Sequence, residues 1–215
     1  MILDPNLTIA YIVVAAALAI APGPDVLFVV ACGMRHKIKG AVASALGIAC
    51  GSLFHAIGAA VGVSAIIAAS SLVFNILTYA GAAYLAFLGL QAIRSWWLGA
   101  VGTNASADVA VEVSVWDVFK RGLITNILNP KVILFYLALL PQFVNVELGN
   151  VGLQIFLLGG IHNIIGVCFL LCVGIAAGKA SGWLMNTRFG QWMDLVSGLF
   201  FVGLAARLLI SERTV

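Results

Sequence analysis

Charge is what this chain has least of. Of 215 residues only 9% are charged, 11 Lys and Arg against 8 Asp and Glu, whereas 63% are hydrophobic and the mean hydropathy is +1.14. A soluble domain carries charge on about a quarter of its residues, so this composition excludes one and indicates an integral membrane protein. No polar stretch is long enough to fold around a nucleotide, and no phosphate-cradling glycine loop occurs, which excludes ATP hydrolysis as an energy source. The four cysteines, Cys32, Cys50, Cys168 and Cys172, form neither a disulfide framework nor a zinc spacing. His55 and His162 have no thiol or carboxylate at ligand spacing, so no metal site is expected. Nothing supports a cofactor, a nucleic-acid partner or a catalytic constellation, and the chain is not expected to be an enzyme.

What is abundant is apolar sequence in runs long enough to cross a bilayer, which takes about 20 residues. Six such runs occur, at 7–33, 41–69, 72–94, 119–143, 151–177 and 191–210. The first is read as a retained helix and not a signal peptide, since no Lys or Arg precedes it. Positive charge alternates between connections. Arg35, Lys37 and Lys39 follow the first run, Arg94, Lys120 and Arg121 flank the third connection, and Lys179 and Arg188 flank the fifth. The other connections have none, which puts the first, third and fifth in the cytoplasm and both termini outside, with Arg207 and Arg213 as the contrary charges. Trp96, Trp97, Trp116, Trp183 and Trp192 all fall on the same cytoplasmic side, as interfacial anchors do. Residues 95–117 read as a flexible cytoplasmic linker joining a first unit, 1–94, to a second, 118–215, within one membrane domain.

Two runs are broken inside. Pro22-Gly23-Pro24-Asp25 interrupts the first and Asn129-Pro130-Lys131 the fourth. Proline removes a helical donor, and lipid cannot satisfy the backbone groups thereby freed, so such breaks belong where protein or a wet cavity surrounds them. The breaks also correspond. Pro24-Asp25-Val26 answers Pro130-Lys131-Val132, His55 answers His162, and Phe87-Leu88-Gly89-Leu90 answers Phe201-Val202-Gly203-Leu204, in the same order. Three landmarks in sequence indicate duplication. With three spans per copy the second must be inverted, so the expected fold is an all-α integral membrane protein of six transmembrane helices in two inverted three-helix repeats, with helices 1 and 4 broken.

Transporters of that design bind substrate and coupling ion at half-depth where the repeats meet. The candidate residues are Pro22, Gly23, Pro24, Asp25, His55, Asn126, Asn129, Pro130, Lys131 and His162. Asp25 and Lys131 follow equivalent breaks and are costly in lipid, about 2.5 to 3.5 kcal/mol each at a helix centre. They are expected to form an ion pair that a zwitterionic substrate opens, its amine taking Asp25 and its carboxylate Lys131; the alternative is a permanent salt bridge between repeats. Helices restarting at Pro24 and Pro130 offer positive dipole ends, with Asn126 and Asn129 beside them. His55 and His162 are proton relays on one reading and packing residues on the other. Gly47, Gly51, Gly58, Gly62, Gly174 and Gly178 are read as helix-packing positions.

The stretches Ala21-Pro22-Gly23-Pro24-Asp25, Gly40 through Ile48, Gly81 through Gly89, Asn126-Ile127-Leu128-Asn129-Pro130-Lys131 and Phe135 through Phe143 together resemble the lysine exporter superfamily, more closely its homoserine/threonine efflux branch. The resemblance implies a secondary exporter of amino acids or their derivatives in the bacterial plasma membrane, driven by protons, by alternating access around a midplane site. It also points to a departure, because Ser52 stands where many members have an acidic residue after the glycine matching Gly51. The expected partners are a small zwitterionic amino acid, protons, membrane lipid and a second copy of the chain in a homodimer. Two other functions compete. A membrane thiol/disulfide oxidoreductase needs cysteines at equivalent places in both halves, but the repeat carries Cys32 to Ala138 and Cys50 to Leu157. A passive channel needs a pore lined by carbonyls or a charged ring, and one protomer offers neither.

Overall fold

The structure, a computed structural model, describes residues 2–69, 71–98, 114–179 and 188–210, and every regular element among them is helical. Helix α1, Pro5–Ile20, starts where Asp4 accepts hydrogen bonds from the N–H groups of Asn6 and Leu7, with Pro5 at the first helical position. It stops at Ala21, because a continuing helix would need donors at Pro22 and Pro24 that proline does not have. Helix α2, Pro24–Ala69, is interrupted at Lys37, whose φ of 55° and ψ of −143° reverse the chain. Val29 and Ala41, from either side of that turn, both face Gly174. The turn falls between the first two apolar runs, in the cluster of Arg35, Lys37 and Lys39.

Helix α3, Ser71–Trp97, follows, and most of the linker read at 95–117 lies outside the described residues, as does Trp183. Helix α4, Val115–Ile127, is capped by Ser114, and helix α5, Pro130–Leu134, by Asn129. The break between them bends the chain by 48°. After α5 the winding loosens to a π-helical turn, Phe135–Leu139, then tightens to a 3-10 turn, Leu140–Phe143. Pro141 explains the change: it has no N–H for the carbonyl one turn back, and the Leu140 N–H reaches Phe135 instead. Helices α6, Val151–Lys179, and α7, Arg188–Ile210, complete the fold.

α2 packs most closely on α6 and α4, and α3 on α7. Glycines make two of these contacts possible: Gly33 lies against the Gly174 backbone, and Gly47 against the Phe119 carbonyl. Gly51, Gly174 and Gly178 are also crowded, but Gly58 and Gly62 face open space, so the packing reading fails at those two. One apolar core, including Tyr11, Leu18, Ala56, Leu85, Phe135, Tyr136, Leu158 and Phe201, joins α1, α2, α3, α6, α7 and the loosened turns. Large apolar side chains also cover the outside, Phe54 at 66% and Ile164 at 67% exposure among them, which suits lipid and not water. Among the described residues, by length and composition, the Pro24–Val63 part of α2 and all of α6 can cross a membrane, and the bent pair Val115–Ile127 and Pro130–Phe143 makes a third if it is one span. The six-span expectation is thus met in part.

Candidate functional site

The two breaks come together. A cleft of about 490 Å³ of empty space, its open mouth included, is lined by Leu18, Asp25, Ser52, Asn126, Lys131 and His162, with Val26, Ile48, Val132 and Leu170 among its apolar walls. Asp25 lies in the first turn of α2 and is buried, with its Oδ2 accepting from Asn126 Nδ2 at 2.8 Å. A carboxylate there faces the positive end of the helix. Asn126 is buried in the last turn of α4. Asn129 caps α5, its Oδ1 accepting from the Lys131 N–H at 3.0 Å. Pro22 and Gly23 are half-buried at the first break; Pro24 and Pro130 open their helices and are exposed.

The expected Asp25–Lys131 ion pair is not formed. An ion pair does form on the surface, Lys120 with Asp117 at 2.8 Å. Lys131 Nζ donates instead to the carbonyls of Leu18 at 3.2 Å and Ala21 at 3.0 Å. The physical reason is local. In a continuous helix the Leu18 carbonyl would bond the N–H of residue 22, which is proline, so the end of α1 has an orphan acceptor and a partial negative charge. An ammonium satisfies both. Gly23 keeps the approach open, since a Cβ there would stand 3.2 Å from Nζ.

Of the two histidines, His162 is buried against Phe135, with ring centres 4.3 Å apart, and its Nδ1 has no hydrogen-bond partner. His55 Nε2 lies 3.2 Å from the Asn126 carbonyl, which only accepts, so Nε2 carries the proton. Among the described residues three more buried polar atoms have no hydrogen-bond partner: Asp25 Oδ1, Asn126 Oδ1 and Asn129 Nδ2. Buried polar atoms are nearly always paired, so four open ones around two helix breaks give the site unspent capacity for a polar guest.

Sequence reasoning missed two buried tyrosines, Tyr11 and Tyr136, the second with its ring centre 5.9 Å from that of His162. The Tyr136 hydroxyl donates to the Gly159 carbonyl at 3.2 Å, so Ser52 Oγ, 2.9 Å from the same oxygen, is the donor in that pair. Tyr11 donates to the Leu158 carbonyl at 2.9 Å. Both tyrosines are fully buried. The sequence signal was available in each case: a phenol within an apolar run needs a partner. The four cysteines are free, with Cys32 buried and Cys50, Cys168 and Cys172 exposed.

Comparison with known proteins adds a second line. A family model described as LysE type translocator matches residues 16–212. The uncharacterized membrane protein YrhP of Bacillus subtilis is 31% identical, covering 91% of this chain and 94% of its own length. The leucine efflux protein of Salmonella typhimurium is 32% identical over 92% of each chain, and that of Enterobacter sp. 31% over 92% of each. No solved structure matches significantly.

Proposed function

The chain belongs to the LysE type translocator family of amino-acid efflux proteins, and from that membership we propose that it is a proton-coupled exporter of neutral amino acids with aliphatic side chains. Its family makes it a membrane transporter. The observation carrying the finer reading is the meeting of both helix breaks at one cleft, with Asp25, Asn126, Lys131 and His162 on its wall. Open acceptors on Asp25 and Asn126 suit a substrate ammonium, and the donors of Lys131 and Asn129 suit its carboxylate. The apolar wall of Leu18, Val26, Ile48, Val132 and Leu170 suits a side chain such as leucine, and among the described residues lining the cleft there is no further Asp, Glu, Lys or Arg for a basic or acidic one. A proton on Asp25 or His162 competes with that ammonium, which is a route to coupling.

The architecture that goes with this reading is six spans in two inverted repeats, 1–94 and 118–215, joined by a cytoplasmic linker at 95–117, with both termini outside a bacterial inner membrane. Alternating access follows from exchange of conformations between repeats. A homodimer is compatible with so small a protomer. The test is purified protein in liposomes under an imposed proton gradient, with leucine and a panel of other neutral amino acids as probes. Uphill, proton-dependent movement of at least one is expected. Movement that only ever runs downhill would instead mark a channel.

A further inference from the structure

α1 is fastened along one face. Asp4 Oδ2 accepts from Asn145 Nδ2 at 3.2 Å, the Tyr11 hydroxyl donates to the Leu158 carbonyl at 2.9 Å, and the Leu18 carbonyl accepts from Lys131 Nζ at 3.2 Å. Positions 4, 11 and 18 are seven residues apart, close to two turns, so the three fasteners stand one above another. Every partner lies in 118–215. Packing agrees, since α1 rests chiefly on α6, α7 and the 3-10 turn Leu140–Phe143, while Ile9, Ile12, Val13 and Ile20 on its other side are exposed. At its end the chain passes to α2 through Ala21-Pro22-Gly23, where no helix runs.

We propose that α1 is the moving gate of the transporter and that Tyr11 and Asp4 are further functional residues, releasing the half-helix in concert with Lys131. This rests on the transport reading above. Lys131 is the fastener a substrate reaches, because Lys131 and Leu18 both line the cleft and the Lys131 Nζ holds the last carbonyls of α1. A carboxylate arriving at Nζ competes with the Leu18 and Ala21 carbonyls and frees that end. The Tyr11 bond can then break at no lasting cost to α6: the Leu158 carbonyl sits inside a continuous helix and keeps the N–H of residue 162 as its own donor. The Asp4–Asn145 bond, at the exposed end, lets go last or reforms first. The hinge is the break at Pro22 and Gly23, which has no helical ladder to disrupt.

The experiment uses full-length protein with its four cysteines replaced and a single new one, Val14→Cys on the packed face of α1 or, as a control, Ala45→Cys in the separate core formed by α2 and α6. A membrane-impermeant maleimide reports access in liposomes without needing to know the substrate. Tyr11→Phe and Asn145→Ala are each expected to raise labelling at position 14 about five-fold, the shift that loss of one hydrogen bond gives a two-state equilibrium, and to leave position 45 unchanged. The two variants are independent, so one that misfolds does not remove the test. An unchanged rate at 14, or an equal rise at both positions, overturns the gate. Absence of any amino-acid movement by the unmodified protein would count against the transport reading and leave the labelling result to judge the gate alone.

Discussion

Asp25→Asn tests the binding role proposed for Asp25 apart from folding, since Asp25 lines the candidate cleft. The two side chains have nearly the same shape, and an Asn oxygen at position 25 still accepts from Asn126 Nδ2, now 2.8 Å from Asp25 Oδ2. A hydrogen bond to a charged group is worth about 1.5 to 3 kcal/mol and a neutral one about 0.5 to 1.5, so the fold is expected to lose roughly 1 kcal/mol and stay intact. Transport should lose far more. A substrate ammonium deprived of its carboxylate forfeits the charge-assisted bond, about 1.5 to 3 kcal/mol, which is roughly a ten- to 150-fold fall in apparent affinity. If the same carboxylate carries the coupling proton, uphill accumulation disappears altogether, whereas slow downhill exchange survives. The assay is amino-acid efflux from liposomes with and without a proton gradient, alongside a thermal melt. Gradient-driven export at the parental rate, from a folded variant, would refute the role given to Asp25.

Because Asp25 and Lys131 are held by separate partners, a double-mutant cycle of Asp25→Asn with Lys131→Met should show a coupling in stability well below the 3 to 5 kcal/mol cost of breaking a buried ion pair. Gly159→Ala should destabilise by about 1 to 3 kcal/mol, since the added Cβ would sit 2.8 Å from that of Ala56 and 3.0 Å from the Tyr136 ring, whereas Gly58→Ala, facing open space, should leave the melting temperature unchanged or slightly raised. The Asp4 carboxyl, at the exposed mouth of α1, is held below the usual carboxylate range, first by the Leu7 N–H and next by Asn145. A depressed folded value means that its stabilisation is complete above the unfolded pKa of about 3.9 and lost as pH falls through the lower folded value. Carbon NMR of the Asp4 carboxyl should therefore show a midpoint below about 3.9 that moves upward in Asn145→Ala, with no event between pH 5 and 8.

Composition made the membrane class legible and the two proline breaks pointed to the cleft that is the candidate site, because both depend on backbone chemistry that any neighbour must respect. Pro22 and Pro24 end α1 and Pro130 restarts the chain after a bend, as a missing N–H requires. The turn at Lys37 was placed by the charged cluster between two apolar runs. What was illegible depended on which faces meet. Gly58 and Gly62 carry the same spacing as Gly47 and Gly51, but spacing says only that a helix has a smooth face, not that another helix lies on it. Tyr11 and Tyr136 look like core aromatics in sequence; their hydroxyls became informative only with the carbonyls of Leu158 and Gly159 opposite.

The failed ion pair follows from a finer point of the same physics. Equivalent positions after equivalent breaks put Asp25 and Lys131 each in the first turn of a helix, and that turn has a positive dipole end. It welcomes the carboxylate and repels the ammonium. Asp25 therefore stays at its own helix end, beside Asn126, while Lys131 stretches away from the start of α5 to a negative helix end, the last carbonyls of α1. Sequence symmetry predicts where two side chains start; helix polarity decides where each one goes. The outcome suits a carrier better than a salt bridge would, because two charges satisfied by different partners can be engaged one at a time. A ligand need not first break an ion pair whose separation strands both charges in the protein interior.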